Sequence, residues 1–177
     1  MVGGRAGMNA ADRFEAFVRE YQDMVFATAV RLLGNPTEAE DVAQVVFLKA
    51  FERFDQIGAS PTAAGWLKTV TTNACLNHLS RHRARWRLFS EVEERFEDTI
   101  AAEPDAPAAR VSTGDLEQAL RGLPDHQRVP LVLFHFEDQS YQAIAETLGV
   151  SLGKVKTDIH RGREALKRVL APIHDLH

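Results

Sequence analysis

The last quarter of the chain contains the side chains that are best suited to bind a polyanion. Basic, hydroxyl and imidazole groups lie close together between residues 151 and 163. Lys and Arg can neutralise phosphates, and the shorter polar groups can contact base edges. If this segment is a helix, we expect the polar set to face outward and bind duplex DNA in the major groove. The set consists of Ser151, Lys154, Lys156, Thr157, His160, Arg161 and Arg163.

A second set of amide and guanidinium groups lies near the middle of the chain. Amides can hydrogen-bond to base edges, and arginines can bind phosphates or stack on bases. These residues are typical of a surface for single-stranded or duplex DNA. The alternative is a solvated basic helix end, since arginines there also interact favourably with the helix dipole. The residues are Asn73, Asn77, Arg81, Arg83 and Arg85.

One possible metal site overlaps this second set. Cys75, His78 and His82 are spaced i, i+3 and i+7, so one helix face could present three ligands to zinc. No fourth ligand or general base is evident, and a small core cysteine with histidines facing DNA or solvent is the simpler interpretation. The chain also lacks a phosphate-binding glycine loop, a nucleophile elbow and an HExxH pair. The sequence therefore predicts no catalysis by this chain alone, no cofactor and no bound metal.

Helical periodicity extends through nearly the whole chain and predicts an all-α fold without strands. Apolar residues from Phe14 to Leu32 recur every three or four positions, and Asp12 is the expected N-cap of this helix. Thr37 and Glu40 form a candidate capping box for the next helix. Its expected inner face consists of Val42, Val45, Val46 and Ala50. A third helix is predicted over residues 63–86.

The second half of the chain has the spacing of a helix-turn-helix. Two apolar helical segments are separated by Gly149, which can adopt the left-handed conformation that a tight turn requires. Ala145 is small where the two helices must cross closely, and Ser151 is the expected cap of the second helix. The shared core is predicted from Ile144, Leu148, Val150, Val155 and Ile159.

The distribution of charge suggests two domains joined by a linker. The net charge is −4, but basic blocks flank an acidic, proline-containing stretch. We predict helical domains at residues 10–87 and 115–171 and a flexible acidic linker at residues 88–114. A single cysteine excludes an intrachain disulfide framework. No apolar run is long enough to insert in a membrane and no signal peptide is evident, so a cytoplasmic protein is expected.

Three strings in this order resemble bacterial sigma factors of the extracytoplasmic-function (ECF) group of the sigma-70 family. Residues 39–51 resemble part of sigma region 2, and residues 66–81 resemble the promoter-melting helix of that region. Residues 123–156 resemble region 4, and the middle region of larger sigma factors is missing. The resemblance implies two small helical domains: a region 2 bundle and a region 4 helix-turn-helix.

The resemblance also implies a role for each site. Asp41, Gln44 and Phe47 would bind core RNA polymerase. The Asn73–Arg85 set would bind the minus-10 element of promoter DNA, with one base held by the loop at residues 56–65. The last helix would bind the minus-35 element, and an anti-sigma factor would be a further partner. Asp158 departs from the family pattern, which frequently has a base there; its carboxylate repels phosphate but can accept a hydrogen bond from cytosine.

A stand-alone helix-turn-helix regulator is the main alternative. It predicts a stable dimer and palindromic DNA sites. The motif from Asp41 to Phe47 favours the sigma factor, because a dimerisation helix has no reason to contain it.

Overall fold

The computed structural model describes residues 8–82 and 113–175, and these residues form helices and connecting turns. The first group of helices comprises α1 (Ala10–Leu33), α2 (Pro36–Glu52), α3 (Phe54–Ile57) and α4 (Ala63–His82). The second group comprises α5 (Thr113–Arg121), α6 (Asp125–His135), α7 (Tyr141–Leu148) and α8 (Leu152–Asp175). No strand occurs within these two ranges, which confirms the all-α prediction. The predicted linker lies almost wholly outside the described residues.

The helices divide into two compact units. The first unit contains the body of α1 together with α2, α3 and most of α4, and the second contains α5 to α8. Among the described helices, none combines the length and apolar character needed to cross a membrane.

Two helices of the first unit begin with asparagine caps that differ from the predicted ones. Asn9 Oδ1 accepts a hydrogen bond from the Asp12 N–H at 2.8 Å, so Asn9 rather than Asp12 caps α1. Asn35 Oδ1 accepts from the N–H groups of Thr37 and Glu38 at 2.9 and 3.1 Å. The expected capping box is therefore wrong. Asn35 precedes Pro36, and proline is well suited to the first helical position because it has no N–H to satisfy.

The core of the first unit lies between faces of α1, α2 and α4. Val42, Val46 and Ala50 on α2 are buried as predicted, but Val45 is 46% exposed. At 100° per residue, Val45 lies about 60° from Val42 on the side away from Val46 and Ala50, at the edge of the buried face. Its expected place in the core was therefore wrong.

The second unit is built around α8, which packs against α5, α6 and α7. Ile144, Val155 and Ile159 are almost completely buried, which confirms most of the predicted helix-turn-helix core. Gly162 marks the closest approach of α8 to α6, since an added Cβ would lie 2.9 Å from Leu131 Cδ1. The middle of α8 is therefore packed closely against α6.

Candidate functional site

The turn between α7 and α8 has the geometry that the sequence predicts for a helix-turn-helix. Gly149 ends α7 in the left-handed region at φ 67° and ψ 37°, and its N–H donates to the Ala145 carbonyl. Ser151 then caps α8, because its Oγ accepts from the Lys154 N–H at 3.1 Å. These bonds satisfy backbone groups at both helix ends and define the angle at which α8 leaves the turn.

Gly149→Ala is expected to destabilise the second unit by about 1–2 kcal/mol, because a Cβ is strained in the left-handed conformation. Gly114→Ala, in the first turn of α5, is the matched control. It is expected to be neutral or to stabilise by up to about 1 kcal/mol, because no described atom lies within 4 Å of the added Cβ. Equilibrium urea unfolding followed by circular dichroism measures both. Equal effects of the two substitutions would contradict the proposed need for glycine at residue 149.

The basic residues of α8 do not form one uniform surface. Lys156 is exposed, and His160, Arg161 and Arg163 are half-buried. Lys156, His160 and Arg163 follow one another at i, i+4 and i+7, so they form a stripe along one side of the helix. Ser151 is exposed at the start of the helix, although its hydroxyl oxygen also serves as the cap.

Lys154 and Thr157 are placed differently from the sequence expectation. Both were expected to face outward, but they are only 5% and 6% exposed. The Lys154 ammonium donates to Asp158 Oδ2 at 2.7 Å, and the side chains are 2% and 4% exposed. Residues 154 and 158 are one helical turn apart, and their opposite charges make this pairing favourable.

An aromatic cluster from α6 and α7 supports one arginine of the stripe, and sequence reasoning missed it. Arg163 Nε donates to His135 Nε2 at 3.0 Å. The Arg163 guanidinium also lies over the Phe134 ring, with Cζ 5.6 Å from the ring centroid. Phe134 in turn stacks on Tyr141, with centroids 4.5 Å apart. These residues are far from Arg163 along the chain, so no local sequence pattern indicates the contact.

The amide residues of α4 lie together on one exposed stripe. Asn73, Asn77 and Arg81 are all exposed and follow one another at i, i+4 and i+8. The helix buries Leu67, Cys75 and other residues on its opposite side. The structure therefore brings three of the five expected minus-10 residues together. Arg83 and Arg85 lie outside the described residues.

The three residues that suggested a metal site have other surroundings. Cys75 is completely buried, and His78 Nε2 lies 2.9 Å from Glu38 Oε1, which links α4 to α2. The side chain of His82 lies outside the described residues. Within the described part of the chain, no group of three His, Cys, Asp or Glu residues could hold a metal ion.

A groove lined mainly by apolar side chains lies between α1 and α2. Its volume is about 850 Å³, and Gln44 and Phe47 line it as part of α2. Asp41 is exposed on the same helix but does not line the groove. The other apolar residues of the lining were not predicted from the sequence. These are Phe14, Val18, Phe26, Ala43, Leu48 and Phe51.

The rim of this groove exposes large apolar side chains to solvent. Leu48 is 64% exposed and Phe51 is 61% exposed. Phe14 and Phe51 meet edge to face across the groove, with ring centroids 5.1 Å apart. A contiguous apolar surface of this kind is typical of a protein-binding site. A second, smaller pocket of about 310 Å³ includes Gly58 and Ala59 from the loop that follows α3.

The comparisons with known proteins agree with this geometry. A family model of sigma-70 region 2 matches residues 17–85, and a model of sigma-70 region 4 matches residues 113–166. The ECF RNA polymerase sigma factor SigW of Bacillus subtilis is 32% identical over 168 residues, covering 90% of this chain and 89% of SigW. The chain belongs to the ECF group of the sigma-70 family.

Two further comparisons extend over most of this ECF sigma factor. The ECF sigma factor SigE of Mycolicibacterium smegmatis is 38% identical over 175 residues, which cover 96% of this chain but 65% of SigE. The sigma factor RpoE of Bartonella quintana, solved with the anti-sigma factor NepR, is 25% identical with a TM-score of 0.51. That match covers 89% of this chain and 96% of RpoE.

Proposed function

We propose that this ECF sigma factor binds core RNA polymerase and directs it to specific promoters. The observation that supports this most strongly is the order of the two matches, region 2 followed by region 4, over 17–85 and 113–166. The chain itself then has no enzymatic activity, and the chemistry belongs to the polymerase. The site of action is the cytoplasm, where bacterial polymerase works.

The groove between α1 and α2 is the proposed polymerase-binding surface. Gln44 and Phe47 line it, and Asp41 lies beside it on α2. An apolar centre with polar groups around it is the usual composition of a specific protein interface. We therefore assign Leu48 and Phe51 to the same surface, since both are exposed and apolar.

The stripe on α4 is the proposed contact to the minus-10 element. Asn73 and Asn77 present amides that can hydrogen-bond to bases, and Arg81 can bind an adjacent phosphate. The pocket beside Gly58 and Ala59 is a candidate place for one unstacked base. Arg83 and Arg85 would extend the basic surface.

The first turns of α8 are the proposed contact to the minus-35 element in duplex DNA. Five of the predicted residues are exposed or half-buried, namely Ser151, Lys156, His160, Arg161 and Arg163. The N-terminal part of a recognition helix contacts base edges, and its flanking cations bind phosphates. Gly149 and Ser151 fix the start of this helix, so their geometry supports the assignment.

The proposed domain limits are residues 10–87 and 115–171, with the acidic linker at residues 88–114. Two weak DNA-binding modules on one chain gain affinity when polymerase holds both, because the second binding event becomes intramolecular. Tight promoter binding is therefore expected only in the polymerase complex.

An anti-sigma factor is a further proposed partner. The Bartonella quintana relative was solved in complex with the anti-sigma factor NepR. In this chain, the exposed apolar rim formed by Leu48 and Phe51 offers a surface that such an inhibitor could cover. An inhibitor bound there would compete directly with polymerase.

In vitro transcription tests the proposal with purified core RNA polymerase and a library of genomic promoter fragments. The expected result is a set of transcripts that depend on the sigma factor and begin downstream of a shared two-box sequence. Failure both to bind core polymerase and to direct initiation would exclude the proposed function. A stable dimer on palindromic sites would then support the stand-alone regulator.

A further inference from the structure

The ion pair between Lys154 and Asp158 lies within the first two turns of α8, where a recognition helix contacts DNA. The ammonium and carboxylate are 2.7 Å apart, and both side chains are almost completely buried. By contrast, Lys156 is exposed on the same turn. In these first two turns, Lys156 is therefore accessible to phosphate, whereas Lys154 is held by a carboxylate.

The pair is not explained by helix stability alone. The cation precedes the anion at i, i+4, which is the less favourable order with respect to the helix dipole. Burying two charges also costs desolvation free energy, so a buried pair is weak evidence for a stabilising role. Its position in the recognition helix suggests a role in how α8 meets DNA.

We propose that Asp158 holds the Lys154 ammonium within the helix-turn-helix unit and so withholds one cation from the DNA phosphates, which lowers the affinity of α8 for DNA of any sequence. The proposal rests on the proposed function of α8 in minus-35 binding. Phosphate contacts are independent of sequence, so each additional cation strengthens binding to every DNA site. Withholding one therefore weakens binding to promoter and non-promoter DNA by a similar factor.

The same geometry assigns Lys154 a positioning role. It neutralises a carboxylate that would otherwise repel phosphate from the first turns of α8. If so, removing Lys154 alone harms DNA binding, because the Asp158 carboxylate loses the charge of Lys154. Removing both charges together should then restore binding.

A double-mutant cycle with Lys154→Met and Asp158→Asn tests the inference. Full-length protein in complex with core polymerase is measured on a promoter fragment recovered by the transcription experiment and on a scrambled duplex of equal composition. Salt titration gives the number of phosphates contacted. The free protein is titrated on the scrambled duplex at low salt, so that the pair is also tested without polymerase or a promoter.

Asp158→Asn is expected to strengthen binding to the scrambled duplex by about 3- to 10-fold and to steepen the salt slope by about 0.9, which corresponds to one additional phosphate contact. Its binding to the promoter strengthens by a similar factor, so the ratio of promoter to scrambled affinity stays within about twofold of the parent's. Lys154→Met is expected to weaken binding to both duplexes, and the double variant is expected to recover to within about twofold of the parent.

Two results would overturn the inference. One is a double variant that stays as weak as Lys154→Met with a slope shallower by about 0.9, because Lys154 would then contact phosphate in the parent. The other is Asp158→Asn binding to the scrambled duplex without change. Failure of the parent to bind core polymerase and promoter DNA would instead count against the proposed function, and the titration of the free protein would still decide the role of the pair.

The fold of each variant needs a separate measurement, because an unpaired buried charge can destabilise the unit. Thermal unfolding by circular dichroism identifies a temperature at which all variants are folded, and DNA binding is compared there. The double variant leaves neither charge buried. The exposed pair of Lys167 and Glu164, with an N–O distance of 3.3 Å on the same helix, is the matched control. In a double-mutant cycle with Lys167→Met and Glu164→Gln, the coupling between the two substitutions is expected to change DNA affinity by less than about twofold.

Discussion

Replacing Leu48 with Asp is expected to weaken the binding of this sigma factor to core RNA polymerase by at least about 30-fold, which is the effect of losing an interface hot spot. Leu48 is 64% exposed and lies at the rim of the α1–α2 groove, so its side chain is available to a partner. An aspartate there would have to lose its hydration when the polymerase covers the groove. Titration of labelled sigma factor with purified core polymerase measures the change.

Val169→Asp is the matched control, because Val169 is 55% exposed on α8 and does not line the groove. It introduces the same charge in place of an exposed apolar side chain and should change polymerase affinity by less than about twofold. Circular dichroism should show an unchanged helical content for both variants. If Leu48→Asp binds core polymerase as tightly as the parent, the groove is not the docking surface.

Most of the helices could be predicted from the sequence because their signals are local. Apolar spacing of three and four residues defines a helix face, and glycine or proline interrupts it. The turn at Gly149 is an example, since few other residues adopt a positive φ at low cost. The residues that cap the helices were harder to predict. Two nearby residues can each cap the same helix, and only the backbone geometry decides between them. These pairs are Asn9 and Asp12 for α1, and Asn35 and Thr37 for α2.

The proposed polymerase-binding surface could be predicted only in part. Helix α2 is apolar on several sides, so periodicity alone cannot define the full extent of the side that faces the core. Its large apolar residues include Val42, Val45, Val46, Leu48 and Phe51. The packing of α1 and α4 decides this, and it leaves Leu48 and Phe51 outside. The apolar rim was therefore missed, although the resemblance pointed to Gln44 and Phe47 beside it.

The proposed DNA-binding surfaces show that the positions of charged residues are equally hard to predict from the sequence. Lys154 and Asp158 are visibly one helical turn apart in the sequence, but the sequence does not show that both are buried. Arg163 depends on His135 and Phe134, which lie on another helix. Such contacts arise from the packing of α6 against α8, and no local pattern predicts them. By contrast, Asn73 and Asn77 could be predicted, because a helix with one buried face exposes its polar residues on the other.

Asn73→Ala and Asn77→Ala are each expected to reduce promoter opening by about 10-fold, and by about 100-fold together, if the two amides contact separate bases. Both residues are exposed on α4, and alanine has the higher helix propensity, so the fold should be retained. Binding to core polymerase should be unchanged, because neither side chain lines the α1–α2 groove. Single-round transcription and permanganate footprinting of the minus-10 element measure the loss.

Gln118→Ala is the matched control, since it removes an exposed amide from α5, a helix to which no DNA contact is assigned. It should change promoter opening by less than about twofold. Normal opening by the double variant would identify the α4 stripe as a solvated surface. A template whose minus-10 element is already unpaired separates two roles of the amides. If Asn73 and Asn77 bind unstacked bases, the defect persists on that template, and if they act only on the duplex before melting, the defect disappears.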